Sequence, residues 1–328
     1  MKAVVQSCLG AADTLSLGDM PIPEPGPGQL RLRVRAAGVN RADVMQREGH
    51  YPPPPGASAI LGLEVAGEID AIGAGVTGFV PGERIAALVS GGGYAEFALV
   101  SASLAMRLPA GMGFVEAASL PEAWMTAWLN LRELGDLHVG QRVLIHAGAS
   151  GVGAAAIQLA RLSGATVLTT AGSDEKCAFC ESLGASLAIN YRTTDVAGAV
   201  RAAGKVDLIL DPVGGATLGP NLACLNQDGK LVLIAFMAGR STELDLGQLL
   251  MKRLTVIGST LRNRDPVTKA RLAARVQDTV IPAIVAGDVR ATVDRTFPLA
   301  EVAAAHRYLE SNQNRGKVVL TVAAASTV

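Results

Sequence analysis

From about residue 140 onward, short apolar strands alternate with helix-length segments, and this alternation constrains the fold more than any other feature. Residues 142–146, 166–170, 187–190, 206–211, 230–234 and 255–258 each read as a strand rich in Val, Ile, Leu and Thr. Apolar strands separated by helices predict a parallel sheet covered on both faces. Right-handed crossovers make such a sheet doubly wound. The punctuation agrees. Gly164 and Gly184 stand where glycines end helices, and Ser173 precedes Asp174 and Glu175 as an N-cap with acids in the first turn.

The first 120 residues have another rhythm. Pro21, Pro23, Pro25 and Pro27 punctuate a connector, and the stretch Gln29-Leu30-Arg31-Leu32-Arg33-Val34-Arg35 alternates polar with apolar as a half-exposed strand does. Residues 64–69, 84–88 and 94–98 continue as short strands between glycine turns, which predicts a small, coiled, mainly antiparallel β-domain. After residue 266 follow a long amphipathic helix to about Ala286, a strand at 291–297, a helix at 299–309 and a strand at 317–322. The expected organisation is α/β. Residues 122–266 form the doubly wound domain, and residues 1–121 with 267–328 form the β-domain.

Composition narrows the function classes. The 328 residues carry 29 Lys and Arg against 29 Asp and Glu, and aromatics make up only 4%. A neutral, aromatic-poor chain lacks the footprint of a nucleic-acid partner. Residues 143–160 hold no charged side chain, but His146, Ser150, Gln158 and three glycines read as strand, turn and helix rather than a membrane span. The N-terminal run is too short and polar for a secretory signal, so a cytoplasmic location is expected. Cys177 and Cys180 form a C-x-x-C, but the acids before them already fill the helix start. No second ligand pair completes a zinc site, so they read as two small side chains on a helix.

One turn carries chemistry. The segment His146-Ala147-Gly148-Ala149-Ser150-Gly151-Val152-Gly153 follows a strand and opens a helix. Glycines there permit a tight turn and let backbone N–H groups and the helix dipole approach a pyrophosphate. This predicts dinucleotide binding at Gly148, Ser150, Gly151, Val152 and Gly153. An NAD site asks for Asp or Glu at the end of the next strand. This chain instead has Gly172 and Ser173, with Lys176 shortly after. A hydroxyl, a glycine backbone and a cation suit a 2′-phosphate, so NADPH is the expected cofactor. The alternative is that Ser173 only caps its helix.

These residues, in this order, resemble the medium-chain dehydrogenase/reductase superfamily across the whole chain. That resemblance implies a GroES-like β-domain followed by a Rossmann domain and a return segment. Ala37-Gly38-Val39-Asn40-Arg41-Ala42-Asp43, Leu61-Gly62-Leu63-Glu64-Val65-Ala66-Gly67, the glycine turn and Arg315-Gly316-Lys317-Val318-Val319 are similar to zinc-free, zeta-crystallin-like NADPH:quinone oxidoreductases. His50-Tyr51-Pro52-Pro53-Pro54-Pro55-Gly56 resembles the tumour-suppressor-inducible quinone oxidoreductase branch. Zinc alcohol dehydrogenases of the superfamily carry Cys where this chain has Asn40 and His where it has Leu63. Glu64 alone does not hold catalytic zinc, so no metal is expected.

By that resemblance, Tyr51 and Ser150 face the acceptor and nicotinamide, and Asn40 and Asp43 lie at the catalytic cleft. Thr126 is a cofactor contact near the nicotinamide, and Tyr191 helps hold the adenosine phosphate. Phe236, Ser259 and Leu261 lie at strand ends where such sheets bind ligands. Each has an ordinary structural alternative: a packed tyrosine, a turn-forming asparagine, a hydrogen-bonded aspartate. His146 is expected to end its strand without catalytic duty. The expected reaction is hydride transfer from NADPH to a quinone in the inter-domain cleft. The alternatives are reduction of a carbon–carbon double bond in enals, enones or enoyl thioesters, and a non-enzymatic NADPH-binding sensor or structural or RNA-binding protein. Relatives of this kind assemble as homodimers or homotetramers, here through the sheet edge near residues 255–259.

Overall fold

A computed structural model describes residues 1–323. The final stretch expected in the β-domain, 324–328, lies outside the described residues. The chain divides into two compact units, Met1–Met125 with Arg262–Val328, and Thr126–Leu261. The crossings had been expected at 121/122 and 266/267. The first instead falls inside the helix Pro121–Trp128, where no break in composition marks it.

Thr126–Leu261 is built on a six-stranded sheet. Its spatial order is Leu187–Asn190, Thr166–Ala171, Arg142–Ile145, Val206–Asp211, Leu225–Leu233 and Thr255–Gly258. Every pair is parallel, and Val143, Leu208 and Val167 stand side by side in register. The order runs outward in both directions from Arg142–Ile145, so this is the doubly wound arrangement the alternation predicts. Leu144, Leu168, Ile189, Ile209 and Leu231 are buried in one cluster with the helices that cover them. Burial on both sides explains why these strands read as apolar runs rather than alternating ones.

The other unit centres on a seven-stranded sheet. Along it lie Val293–Pro298, Lys317–Thr321, Gln29–Val39, Glu64–Ile72, Arg84–Leu88 and Ala105–Arg107, and Phe97–Ser101 also pairs with Gln29–Val39. All pairs are antiparallel except the first, so the return segment joins the sheet begun by the N-terminal half. Leu30, Leu32 and Val34 point into the core while the intervening arginines are partly exposed, as period-two patterning requires.

Two local expectations change. The strand expected at 94–98 begins at Phe97, because the backbone before it pairs elsewhere: Tyr94 N–H donates to the Leu61 carbonyl and Ala95 bridges Ala3. The helix after residue 266 is helical to Ala286, but it widens to π geometry over Val276–Val280. Pro282 has no N–H to return to Asp278, which relaxes that turn.

Candidate functional site

Within Thr126–Leu261, the strand Arg142–Ile145 delivers the glycine turn to the helix Gly151–Leu162. Ser150 is the N-cap, and its Oγ accepts from Gly153 N–H at 3.0 Å. The first-turn N–H groups of Gly151 and Val152 are those a helix start leaves for an anion. A side chain at Gly153 would sit 2.7 Å from Gly148 Cα, and one at Gly148 would strike the Thr169 side chain. Both glycines are therefore required for the close approach of helix and strand. These residues fit the pyrophosphate of a dinucleotide.

At the end of the next strand, a Cβ on Gly172 would lie 2.7 Å from the Tyr191 hydroxyl, so a larger residue there would displace that exposed ring from the strand end. Ser173 caps the helix Asp174–Ser182 by accepting from Lys176 N–H. The expected Gly172, Ser173, Lys176 and Tyr191 are thus neighbours, with the Ser173 oxygen already engaged in capping. Thr126 is buried, and its carbonyl accepts from Asn130 Nδ2 at 2.7 Å. Phe236 is half exposed beneath the Arg240 guanidinium. Ser259 and Leu261 are buried, and Ser259 Oγ has no hydrogen-bond partner among the described residues. His146 lies in a chain of bonds, with Nδ1 3.0 Å from Thr170 Oγ1 and Nε2 2.8 Å from Asn221 Oδ1, while Asn221 donates onward to Asp211. Burial lowers its pKa. A neutral, doubly bonded ring suits a structural role.

The other unit gathers Asn40 and Asp43 into a buried polar cluster. Asn40 follows the strand Gln29–Val39 and precedes the helix Arg41–Arg47. Its Nδ2 donates to Glu64 Oε1 at 2.9 Å, and its Oδ1 accepts from Lys317 Nζ at 2.6 Å. Lys317 Nζ also pairs with Glu64 Oε1 and donates to the Val39 carbonyl at 3.2 Å. The other Glu64 oxygen accepts from Glu122 N–H at 2.9 Å. Asp43 accepts from Asn40 N–H at 2.8 Å, Gly62 N–H at 3.2 Å and the Tyr94 hydroxyl at 2.9 Å. Burial pushes Asp43 up to about 6, although those donors and the Lys317 charge oppose the rise. The cluster thus places the Lys317 ammonium between Asn40 and Glu64. Among the described residues, no group of three or more His, Cys, Asp or Glu is arranged to hold a metal.

Tyr51 belongs to a second group in this unit. The Arg262 guanidinium lies 5.4 Å from the centre of its ring, within cation–π range. Burial raises the Tyr51 phenol, and the Glu122 charge adds to that rise. Glu122 is pushed up to about 8 by burial and then by the Glu64 charge, with Lys317 and Arg262 opposing. The group therefore offers a phenol and a carboxyl that is largely protonated at neutral pH. The Arg262, Glu122 and Lys317 side chains were not identified as site residues from the sequence. No local pattern marks them: Arg262 lies in Thr260-Leu261-Arg262-Asn263-Arg264-Asp265 and Lys317 follows Asn314-Arg315-Gly316. Cys177 and Cys180 are buried free thiols, and burial pushes Cys180 up to about 12, so neither is primed as a nucleophile. No helix among the described residues is long and apolar enough to cross a membrane.

Residues 26–110 match the alcohol dehydrogenase GroES-like domain family, and residues 151–276 match the zinc-binding dehydrogenase family. A quinone oxidoreductase of Pseudomonas aeruginosa is 33% identical over 323 residues, covering 97% of this chain and 99% of that protein. The crystal structure of Escherichia coli quinone oxidoreductase complexed with NADPH superposes with a TM-score of 0.89 at 28% identity, covering 98% of this chain and 100% of that one. The CurK enoyl reductase superposes with a TM-score of 0.86 at 30% identity, covering 98% and 99%. With its doubly wound sheet, its GroES-like unit and relatives matched end to end, the chain belongs to the medium-chain dehydrogenase/reductase family.

Proposed function

We propose that this chain is a zinc-independent, NADPH-dependent oxidoreductase that reduces a quinone. The observation that carries this reading is the Lys317 ammonium held by Asn40 Oδ1 and Glu64. It supplies the positive charge that balances Glu64, and a dication placed beside it would meet repulsion. Without a Lewis acid to activate an alcohol, the substrate must already be electron-poor. The cofactor, when bound, supplies a hydride. Gly151, Val152 and Gly153 bind its pyrophosphate, and Gly172, Ser173, Lys176 and Tyr191 form the 2′-phosphate site. Thr126, Phe236, Ser259 and Leu261 line the remaining cofactor contacts. Tyr51 orients the acceptor through its hydroxyl, and Ser150 assists. Asn40 and Asp43 hold the shape of the loop that carries them. The quinone oxidoreductase relatives support this reading.

A second reading, reduction of a conjugated carbon–carbon double bond, is favoured by one observation. Tyr51 and the raised Glu122 are protonated groups that could supply the proton such a reduction requires at carbon. The likeness to an enoyl reductase supports it. We infer a homodimer or homotetramer that uses the edge strand Thr255–Gly258, beside the exposed Leu250 and Met251.

One turnover panel tests both readings. NADPH oxidation is followed with ortho- and para-quinones, enals and enones in chelator-treated buffer. Turnover of quinones far above enals supports the first reading, and the reverse supports the second. A requirement for added zinc, or equal use of NADH, overturns the corresponding part.

A further inference from the structure

Ala147, the residue before Gly148, is left-handed at φ 53°, a region that a side chain enters only where its surroundings hold it. Two bonds to the neighbouring strand hold this turn. Ala147 N–H donates to Thr170 Oγ1 at 3.3 Å, and Gly148 N–H donates to the Thr170 carbonyl at 2.9 Å. Thr170 Oγ1 lies 3.0 Å from His146 Nδ1, and His146 Nε2 lies 2.8 Å from Asn221 Oδ1. Asn221 Nδ2 donates to Asp211 Oδ2 at 2.9 Å. The other Asp211 oxygen accepts from Val213 N–H at 2.6 Å and from Gly214 N–H at 3.1 Å. His146, Thr170, Asn221 and Asp211 are all buried, so bulk water does not compete for these bonds. Every group in the chain belongs to the unit Thr126–Leu261.

The direction of each link follows from its chemistry. The Asp211 carboxylate only accepts, so Asn221 turns its amide nitrogen to Asp211 and its oxygen to His146. That oxygen needs a donor, so His146 carries its proton on Nε2. Nδ1 is then bare and accepts from the Thr170 hydroxyl, whose oxygen is left to accept from Ala147 N–H. One carboxylate thus fixes an amide orientation, a ring tautomer and a hydroxyl in sequence. The same carboxylate fixes the loop after its own strand through Val213 and Gly214. We propose that His146, Asn221 and Asp211 are positioning residues of the dinucleotide site. They act through Thr170 to hold the Ala147 peptide in the form in which the turn presents its N–H groups to a diphosphate. They also make the Val213–Gly214 loop respond when a diphosphate is bound, because linked hydrogen bonds strengthen one another. This rests on the nucleotide-binding reading of the glycine turn and adds the residues that keep the turn in its binding form.

Two measurements on the full chain test this. The first is the tautomer. With nitrogen-15-labelled histidine, long-range proton–nitrogen spectra of the wild type should show the His146 ring, assigned by its loss in His146→Gln, as neutral and protonated at Nε2 near neutral pH. A ring protonated at Nδ1, or at both nitrogens, overturns the proposal. The second is calorimetric binding of two probes. Adenosine 2′-phosphate 5′-diphosphate carries the diphosphate, and adenosine 2′-phosphate lacks it. Asn221→Ala removes a side chain that reaches the turn only through His146. It should weaken the diphosphate probe about 5- to 10-fold and leave adenosine 2′-phosphate within about twofold. A residue that serves stability alone would not separate the two probes. His146→Gln keeps a donor for Asn221 but offers Thr170 no acceptor, and should weaken the diphosphate probe to a similar degree. In the wild type the diphosphate probe should also slow amide hydrogen exchange at Val213 and Gly214, and in Asn221→Ala it should not. Circular-dichroism melting shows which variants are folded. If Asn221→Ala does not fold, His146→Gln and the wild-type tautomer and exchange decide. Diphosphate binding that a folded Asn221→Ala leaves unchanged, or an equal loss for both probes, overturns the proposal alone. A wild type that binds the diphosphate probe no better than adenosine 2′-phosphate overturns the diphosphate reading of the turn, and the proposal falls with it.

Discussion

Lys317 Nζ donates to Asn40 Oδ1 at 2.6 Å, across 277 positions of sequence, and pairs with Glu64 in the same buried cluster. Removing the ammonium leaves the Glu64 carboxylate buried and uncompensated. Lys317→Met is therefore expected to cost about 3 kcal/mol. Adding Glu64→Gln to it should recover part of the loss, because the orphaned charge goes with it. Denaturant melts of the wild type, the two single variants and the double variant measure this. Strictly additive losses would show that the pair is not coupled.

Cofactor choice can be tested without disturbing the helix start. Asp caps helices as well as Ser does, so Ser173→Asp keeps the bond to Lys176 N–H while bringing a negative charge to the strand end. NADPH should bind at least about tenfold more weakly, with NADH affected far less. Fluorescence titration with both nucleotides gives the ratio. An unchanged ratio would remove Ser173 from the 2′-phosphate site.

Stability should fall as pH rises through the neutral range. The Glu122 carboxyl ionises near an ordinary 4.5 when unfolded and at about 8 when folded. Between these values the native state holds more protons than the unfolded state, so each step upward in pH costs stability. Asp43 adds the same sign of slope between 3.8 and about 6. Glu122→Gln is neutral at every pH and should be more stable than the wild type by about 1 kcal/mol or more near pH 9, with little difference near pH 4. Thermal melts at the two pH values check the sign. A larger gain at the acid end would refute the assignment.

Tyr51→Phe retains the ring beneath Arg262 and deletes only the hydroxyl. Turnover should drop about 10-fold or more, while NADPH affinity stays within about twofold of the wild type. Steady-state kinetics with a quinone and equilibrium titration with NADPH separate the two effects. Turnover equal to the wild type would reduce Tyr51 to a packing residue.

The sequence by itself determined the features that depend on neighbours along the chain. A glycine turn between an apolar strand and a helix, a serine three residues before the N–H it caps and alternating strands are local patterns. Local patterns survive without knowledge of the partner. The six parallel strands and the pyrophosphate loop were legible for that reason. Tertiary structure decided what depends on distant groups meeting. Nothing near Lys317 in the chain announces that its ammonium will lie on Asn40 and Glu64, and nothing near Arg262 announces a buried guanidinium with two open donors beside Tyr51. The sign of a pKa shift, the cost of an orphaned donor and the identity of a cation's partner all follow from burial and distance. These arise only once the return segment has closed against the N-terminal strands.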